Sequence, residues 1–187
     1  MTKCYFESYE IPPLSWIDSR IEVRLSPIHG KGTFASARIQ QGEVVFIWGG
    51  TLFTPEDIRA GKALEHSWAA VGEGVFLGHS SEQGHSADDY MNHTCDPNVW
   101  FANEFTLVAR RDINADDEVT ADCAMYWGPD EEELIEWECH CGLILCRKVF
   151  TTQDWLREDL HEQYGNHFSP YVNASIRRIR AEKGTHT

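Results

Sequence analysis

Three cysteines within eight residues, Cys139-x-Cys141-x4-Cys146, constrain this chain more than any other stretch of it. The spacing is too tight for separate disulfides and is natural for wrapping a metal ion. Zinc in a structural site takes four ligands tetrahedrally, so a fourth must come from elsewhere in the chain. On chemistry alone His93 and His140 are rivals for that place. Gly142 lets the backbone turn between the second and third thiols without strain. The plainer alternative is a few ordinary thiols in a turn. Cys4 and Cys123 stand apart from the cluster.

The compartment bears on that choice. The start, MTKCYFESYEIPPLSW, mixes polar residues with prolines and lacks the apolar stretch of a secretory signal. No apolar run approaches the length of a membrane span. The expectation is an intracellular protein, cytoplasmic or, in a eukaryote, nuclear, whose thiols are free or bind metal. At 187 residues the chain has room for one cored domain with a small appendage. Its 16 basic and 30 acidic residues give a net charge of −14, which argues against general phosphate-backbone binding. The same charge suits a basic protein or peptide partner, although solubility alone would also account for it.

The pattern is mainly β, with helices at the C-terminal end. Residues 1–19 read as a loosely structured lead-in broken at Pro12-Pro13. Ile21, Val23 and Leu25 alternate with polar residues as in a strand, and SPIHGKG follows as a turn. Val44 to Trp48 is a compact apolar run. Thr54 and Pro55 are placed as N-cap and first residue of a brief helix ending near Gly61. Residues 72–86 hold one strand, GVFLG. Val99–Phe101 and Phe105–Val108 read as a hairpin turning at Asn103-Glu104, with another strand near Glu118–Thr120. Asp130 to Glu133 is an acidic, solvated run. Thr152 is expected to cap a helix over 153–163 with Leu156, Leu160 and Tyr164 on one face. Ser169-Pro170 opens a second helix, with Val172, Ile176 and Ile179 inward and a basic end.

Four segments then agree in type and order with one family. HGKGTFA (29–35) is a glycine-containing loop. DDYMNHTCDPNVWF (88–101) is similar to an asparagine–histidine–serine–cysteine segment, with Thr94 where serine is usual. ARRDINADDEVTADC (109–123) and CHCGLILCRK (139–148) follow. Together they resemble the SET domain and its post-SET cysteine cluster, and four motifs in order are far more specific than any one. The resemblance implies a SET-domain, β-clip-like fold of several small sheets. It divides the chain into the lead-in 1–19, a SET domain 20–127, a post-SET zinc segment 128–150 and a helical extension 151–187. It also implies that Cys95, rather than a histidine, joins Cys139, Cys141 and Cys146 around a structural Zn2+.

In function the resemblance implies an S-adenosylmethionine-dependent methyltransferase acting on lysine of a protein. Lys31, Gly32, Asn92 and His93 match cofactor-holding positions, and Trp137 and His140 match positions that pack on adenine. Trp137 is equally explained as packing between a lid and the core. Two expected hydroxyl-bearing aromatics are replaced. Ile47-Trp48 stands where a glutamate–tyrosine pair is usual, with Gly50 in place of an acid, and Cys123 ends the Glu118-x-Thr120-x-Asp122 motif in place of tyrosine. A thiol is short and a weak donor. Tyr126 is therefore the candidate that restores the hydroxyl, with Cys123 as the other catalytic candidate and Tyr90 as a channel or core residue. Two further readings stay open: a SET module that binds a partner without turnover, and a SET-type enzyme for a small molecule or free amino acid.

Overall fold

A computed structural model describes residues 11–130 and 134–184. β1 (Trp16–Ile17) leads to the β2–β3 hairpin (Ile21–Leu25 and Lys31–Ala35), then to β4 (Val44–Ile47) and β5 (Thr51–Phe53). After α1 (Pro55–Arg59) come the hairpins β6–β7 (Ala69–Gly72, Val75–Gly78) and β8–β9 (Val99–Phe101, Thr106–Ala109). β10 (Glu118–Val119), the β11–β12 pair (Glu136–Glu138, Val149–Thr151), α2 (Glu158–Tyr164) and α3 (Pro170–Gly184) complete the order. The strands form four small antiparallel sheets, ordered β1-β4-β9-β8, β10-β3-β2, β5-β7-β6 and β11-β12. The fold class is thus mainly β with C-terminal helices. No helix among the described residues is long and apolar enough to cross a membrane.

Local chemistry explains several elements. Thr54 caps α1 in a reciprocal box, its hydroxyl accepting from the Asp57 amide while Asp57 accepts from the Thr54 amide. The β8–β9 turn is held by the Asn103 carboxamide, which accepts from the amides of Phe105 and Thr106 at 3.2 and 3.0 Å. Pro170 opens α3 after Ser169, and Val172 and Ile176 point into the core as expected.

Three expectations are corrected. Residues 11–19 are no loose lead-in: Trp16 and Ile17 pair with Ile47 and Phe46, and the Pro12 carbonyl accepts from the Gly50 amide at 2.9 Å. Residues 1–10 lie outside the described part. The strand expected from Ile21 is β2, and its Leu25 is 84% exposed. The turn holds over 26–30, but the loop read over 29–35 is mostly strand β3 (Lys31–Ala35), whose Thr33, Phe34 and Ala35 are buried. The helix expected over 153–163 is interrupted: a 3₁₀ turn at Asp154–Leu156 gives way at Arg157 to extended backbone (φ −75°, ψ 128°) before α2 begins. That break buries Trp155 and turns Leu156 outward. The hydroxyl of Thr152 accepts from the Ile135 amide. Of the acidic run, residues 131–133 lie outside the described part.

One core spans most of these pieces. Phe46, Phe101, Leu107, Ile113 and Val119 from the strands meet Trp155, Leu160, Tyr164, Phe168 and Val172 from the C-terminal end. The segment after β10 runs parallel to residues 92–94, with Ala121 donating to the Asn92 carbonyl and accepting from the Thr94 amide. This crossing brings both chemistry-bearing motifs to one place.

Candidate active site

A cleft of about 920 Å³ opens where that crossing meets the start of β3, the Trp48-Gly49 segment after β4 and the β11–β12 pair. Lys31, Asn92, His93, Trp137 and His140 line it, as do Cys123 and Tyr126. Gly32 does not; it lies buried behind the wall. A Cβ there would sit 2.1 Å from Glu118 Oε1 and 3.0 Å from Asn92 Nδ2, so only glycine permits the contact behind the loop. The Asn92 amide nitrogen lies 2.7 Å from Glu118 Oε1 and 3.0 and 3.2 Å from the carbonyls of Lys31 and His29. Glu118 also accepts from the Ser26 hydroxyl. Asn92 therefore fixes the loop to the crossing strand with its side chain.

His93 is buried, and its ring stacks on Phe150 at 3.9 Å. Burial drops its pKa to about 4, with the nearby Arg147 charge adding to the fall and Asp122 opposing it. The ring is neutral. Its Nδ1 accepts from the Cys123 amide at 3.3 Å, which leaves the proton on Nε2, facing Cys95 Sγ at 3.8 Å. Phe150 continues into Trp127 and Trp137, whose ring centroids lie 4.5 Å apart. This aromatic wall adds Phe150 and Trp127 to Trp137. His140 is half-exposed on the same rim.

At the other end Cys123 Sγ meets the Tyr126 hydroxyl at 3.3 Å. Trp48 packs edge-on against Tyr126, with ring centroids 5.4 Å apart. Burial pushes the Cys123 thiol up to about 12 and holds the Tyr126 phenol well above its usual value. Both groups are neutral hydrogen-bonding groups at physiological pH. Gly50, where the expected acid is missing, has φ +133°, and a Cβ would lie 2.2 Å from the Gly78 carbonyl oxygen. Glycine is required there by backbone contact.

The sulfurs of Cys95, Cys139, Cys141 and Cys146 all lie within 4.8 Å of one another. Cys95 and Cys139 are 3.7 Å apart. Zinc–sulfur bonds of about 2.3 Å in a tetrahedron put sulfurs about 3.8 Å apart, so the donor set fits zinc. Neither His93 nor His140 belongs to the group. The amides of Arg147 and Lys148 donate to the sulfurs of Cys95 and Cys146 at 3.3 Å each, which favours thiolates.

Beneath this centre lies a charge network that inspection of the sequence does not reveal. Asp122 has no exposed side-chain area, and Arg147 only 8%. Arg147 donates through both terminal nitrogens to the two Asp122 oxygens, at 2.6 and 2.8 Å. Tyr164 donates to Asp122 as well, at 2.8 Å. Burial works to raise the Asp122 carboxyl, but Arg147 and the Ala124 amide hold it below the usual carboxylate range. The one sequence signal was Asp122's place in the Glu-x-Thr-x-Asp motif. Arg147, directly after Cys146, carries no such signal.

A sequence model of the SET domain matches residues 30–124, half of the chain. The chain belongs to the SET-domain family. That is the superfamily of S-adenosylmethionine-dependent methyltransferases, and SET domains in general bind this cofactor. The match spans the glycine loop, the Asn92–Cys95 segment and the strand that ends at Cys123. The cysteines at 139, 141 and 146 lie beyond it, and the fold brings them back to Cys95. In this SET domain the wall opposite the zinc-type centre is polar. His79 is buried with its Nδ1 3.0 Å from Asp89, and Ser15 donates to Asp88 at 2.7 Å and accepts from the Gly49 amide at 3.1 Å. Asp89 lifts the His79 pKa. Tyr90 lines the cleft beneath Lys31, whose ammonium sits 5.4 Å above its ring.

Proposed function

We propose that this SET domain is a methyltransferase acting on the side-chain amine of a lysine in a protein, with Tyr126 supplying the channel hydroxyl. The observation that carries the reading is the 3.3 Å contact between the Tyr126 hydroxyl and Cys123 Sγ. A phenol three residues further on reaches the point where the chain offers only a thiol. A neutral phenol can orient an incoming amine by hydrogen bonding; it does not act as a base. Lys31, Asn92 and His93 are the residues that would hold the cofactor's methionine part, and the Trp127–Trp137–Phe150 wall would take its adenine. Bound there, S-adenosylmethionine would supply a methyl group on a positively charged sulfur.

The acceptor must be a neutral amine, and lysine has a pKa of about 10.4 in water. With Tyr126 neutral throughout, the rate is expected to rise with pH along a single limb as the acceptor loses its proton. Four carboxylates line the cleft (Glu65, Asp88, Asp89 and Glu138) against one lysine, Lys31. Together with the net charge of −14 they favour a basic protein or peptide substrate. The four-cysteine centre is read as structural zinc, since all four positions are protein sulfur and none is open to substrate.

Calorimetry with S-adenosylmethionine, followed by methyl release with a basic protein, with free lysine and with neither, tests this reading. Cofactor binding with protein-dependent turnover, lost in Tyr126→Phe, is the expected result. Turnover unaffected by that substitution would remove Tyr126 from the channel. A partner-binding module without turnover is favoured by one observation, that the Tyr126 hydroxyl already has Cys123 as a partner. Binding without any methyl release would select that alternative.

A further inference from the structure

We propose that Arg147 is a positioning residue that transmits the state of the four-cysteine centre to the reaction channel through Asp122. The idea rests on the zinc and channel readings above, but its test requires no turnover. Arg147 follows Cys146 directly, and its amide donates to Cys95 Sγ, so its backbone is part of the metal loop. Its side chain leaves that loop and enters the interior. There both terminal nitrogens grip Asp122, while Nε ion-pairs with Asp154 Oδ2 at 3.1 Å.

Asp122 in turn sets the channel. It caps the 3₁₀ turn Cys123–Met125, accepting from the Ala124 amide at 3.0 Å. Cys123 is the first residue of that turn; its amide donates to His93 and its sulfur meets Tyr126. One carboxylate therefore fixes the turn that aims both channel groups. A carboxylate at that depth is tolerated only while its cationic partner is present. If the metal loop opens, Arg147 is carried away with Cys146. Asp122 is then left charged without a counter-ion, and the turn must shift to let water or a proton reach it. Tyr164, which belongs to the C-terminal core, remains on Asp122 and keeps the change local.

The prediction is that Cys123, 7% exposed in the closed form, becomes reactive when the centre is emptied, and that this depends on Arg147. Alkylation of Cys123 by iodoacetamide, followed on its own peptide by mass spectrometry, is measured with and without a zinc chelator. Wild-type protein should label at least about tenfold faster after chelation, with the helical circular dichroism retained. Arg147→Lys, which cannot make the two-pronged contact, should keep about one zinc per chain, label fast with the metal bound, and gain little on chelation. An equal gain in wild type and variant would show that the coupling bypasses Arg147 and overturn the proposal. So would unchanged labelling in the chelated wild type, or loss of its helical signal. If Arg147→Lys fails to fold, the pair Arg147→Met with Asp122→Asn removes both charges and keeps an acceptor for the Ala124 amide. Retention of the tenfold metal dependence in that pair would equally overturn the proposal. An inactive protein with this labelling pattern would refute the enzymatic reading alone.

Discussion

Residues 134–152 leave Leu134, Ile135, Trp137, Ile144, Leu145 and Val149 exposed, whereas the next thirty-two residues bury Trp155, Leu160, Tyr164, Phe168, Val172 and Ile176. The first stretch contributes no residue to the buried part of the main core; the second supplies a large share of it. Each fully buried side chain of that kind contributes about 1.5–3 kcal/mol. The earlier stretch has to be held by other means: four thiols, an Arg147–Asp122 ion pair and a short β11–β12 ladder. Neighbouring parts of one chain are thus stabilised by different physics. The part that closes the cleft is the part that adds nothing to the buried main core.

The largest effect expected is from the metal. Zinc in coreless peptides contributes on the order of 10 kcal/mol of ordering. Chelation, or Cys95→Ser, should abolish amide protection across 134–152 and with it cofactor binding, while α2 and α3 stay protected in hydrogen exchange. Persisting protection in 134–152 without metal would break the comparison, and full zinc retention in Cys95→Ser would bring a histidine back as fourth ligand. Next, Phe168→Ala should cost about 3–5 kcal/mol in denaturant unfolding with zinc content unchanged. A loss of zinc in that variant would mean the two regions share one cooperative unit.

Tyr164→Phe sharpens the boundary, because its hydroxyl reaches from the apolar half into the polar one. A cost of about 1–2 kcal/mol is expected. A double cycle with chelation should show coupling; strict additivity would make the regions independent. The smallest effect concerns the opposite wall. Asp89 raises the His79 pKa, so the pair's contribution is complete below about pH 6.5 and is lost as pH rises through the raised value. The stability gap between wild type and Asp89→Asn should therefore narrow above neutral pH, and the His79 imidazole titration should fall in the variant. Parallel stability profiles would dismiss the pair as a charged contact.

The parts legible from sequence are those fixed by neighbours in the chain. The Thr54–Asp57 box, the Asn103 turn and the Ser169-Pro170 helix start each need only three or four residues to declare themselves. Strand β3 was hidden because its glycine-rich start reads as a turn, while its burial comes from β2 and β10 on either side. Arg157 breaks the expected helix with no glycine or proline to announce it. In the site, Cys139, Cys141 and Cys146 were readable by spacing, and Cys95 only through family likeness. Asp122 was visible as the last acid of its motif, but its pairing with Arg147 was not: two residues 25 apart carry no local pattern, and the weight of the pair comes from burial.

The parallel crossing of residues 92–94 with 121 also has a consequence for how the chain is made. Asn92 and Ala121 must meet before the cleft has a floor, Cys95 waits for Cys139 another 44 residues along, and Asp122 waits 42 residues for Tyr164. Contacts this distant in sequence are slow to form. A chain emerging from the ribosome therefore carries its glycine loop and Asn92–His93 pair well before the other walls of the cleft are made. The walls of the cleft are complete only once the chain has been made through Thr152, and Asp122 gains its Tyr164 partner later still.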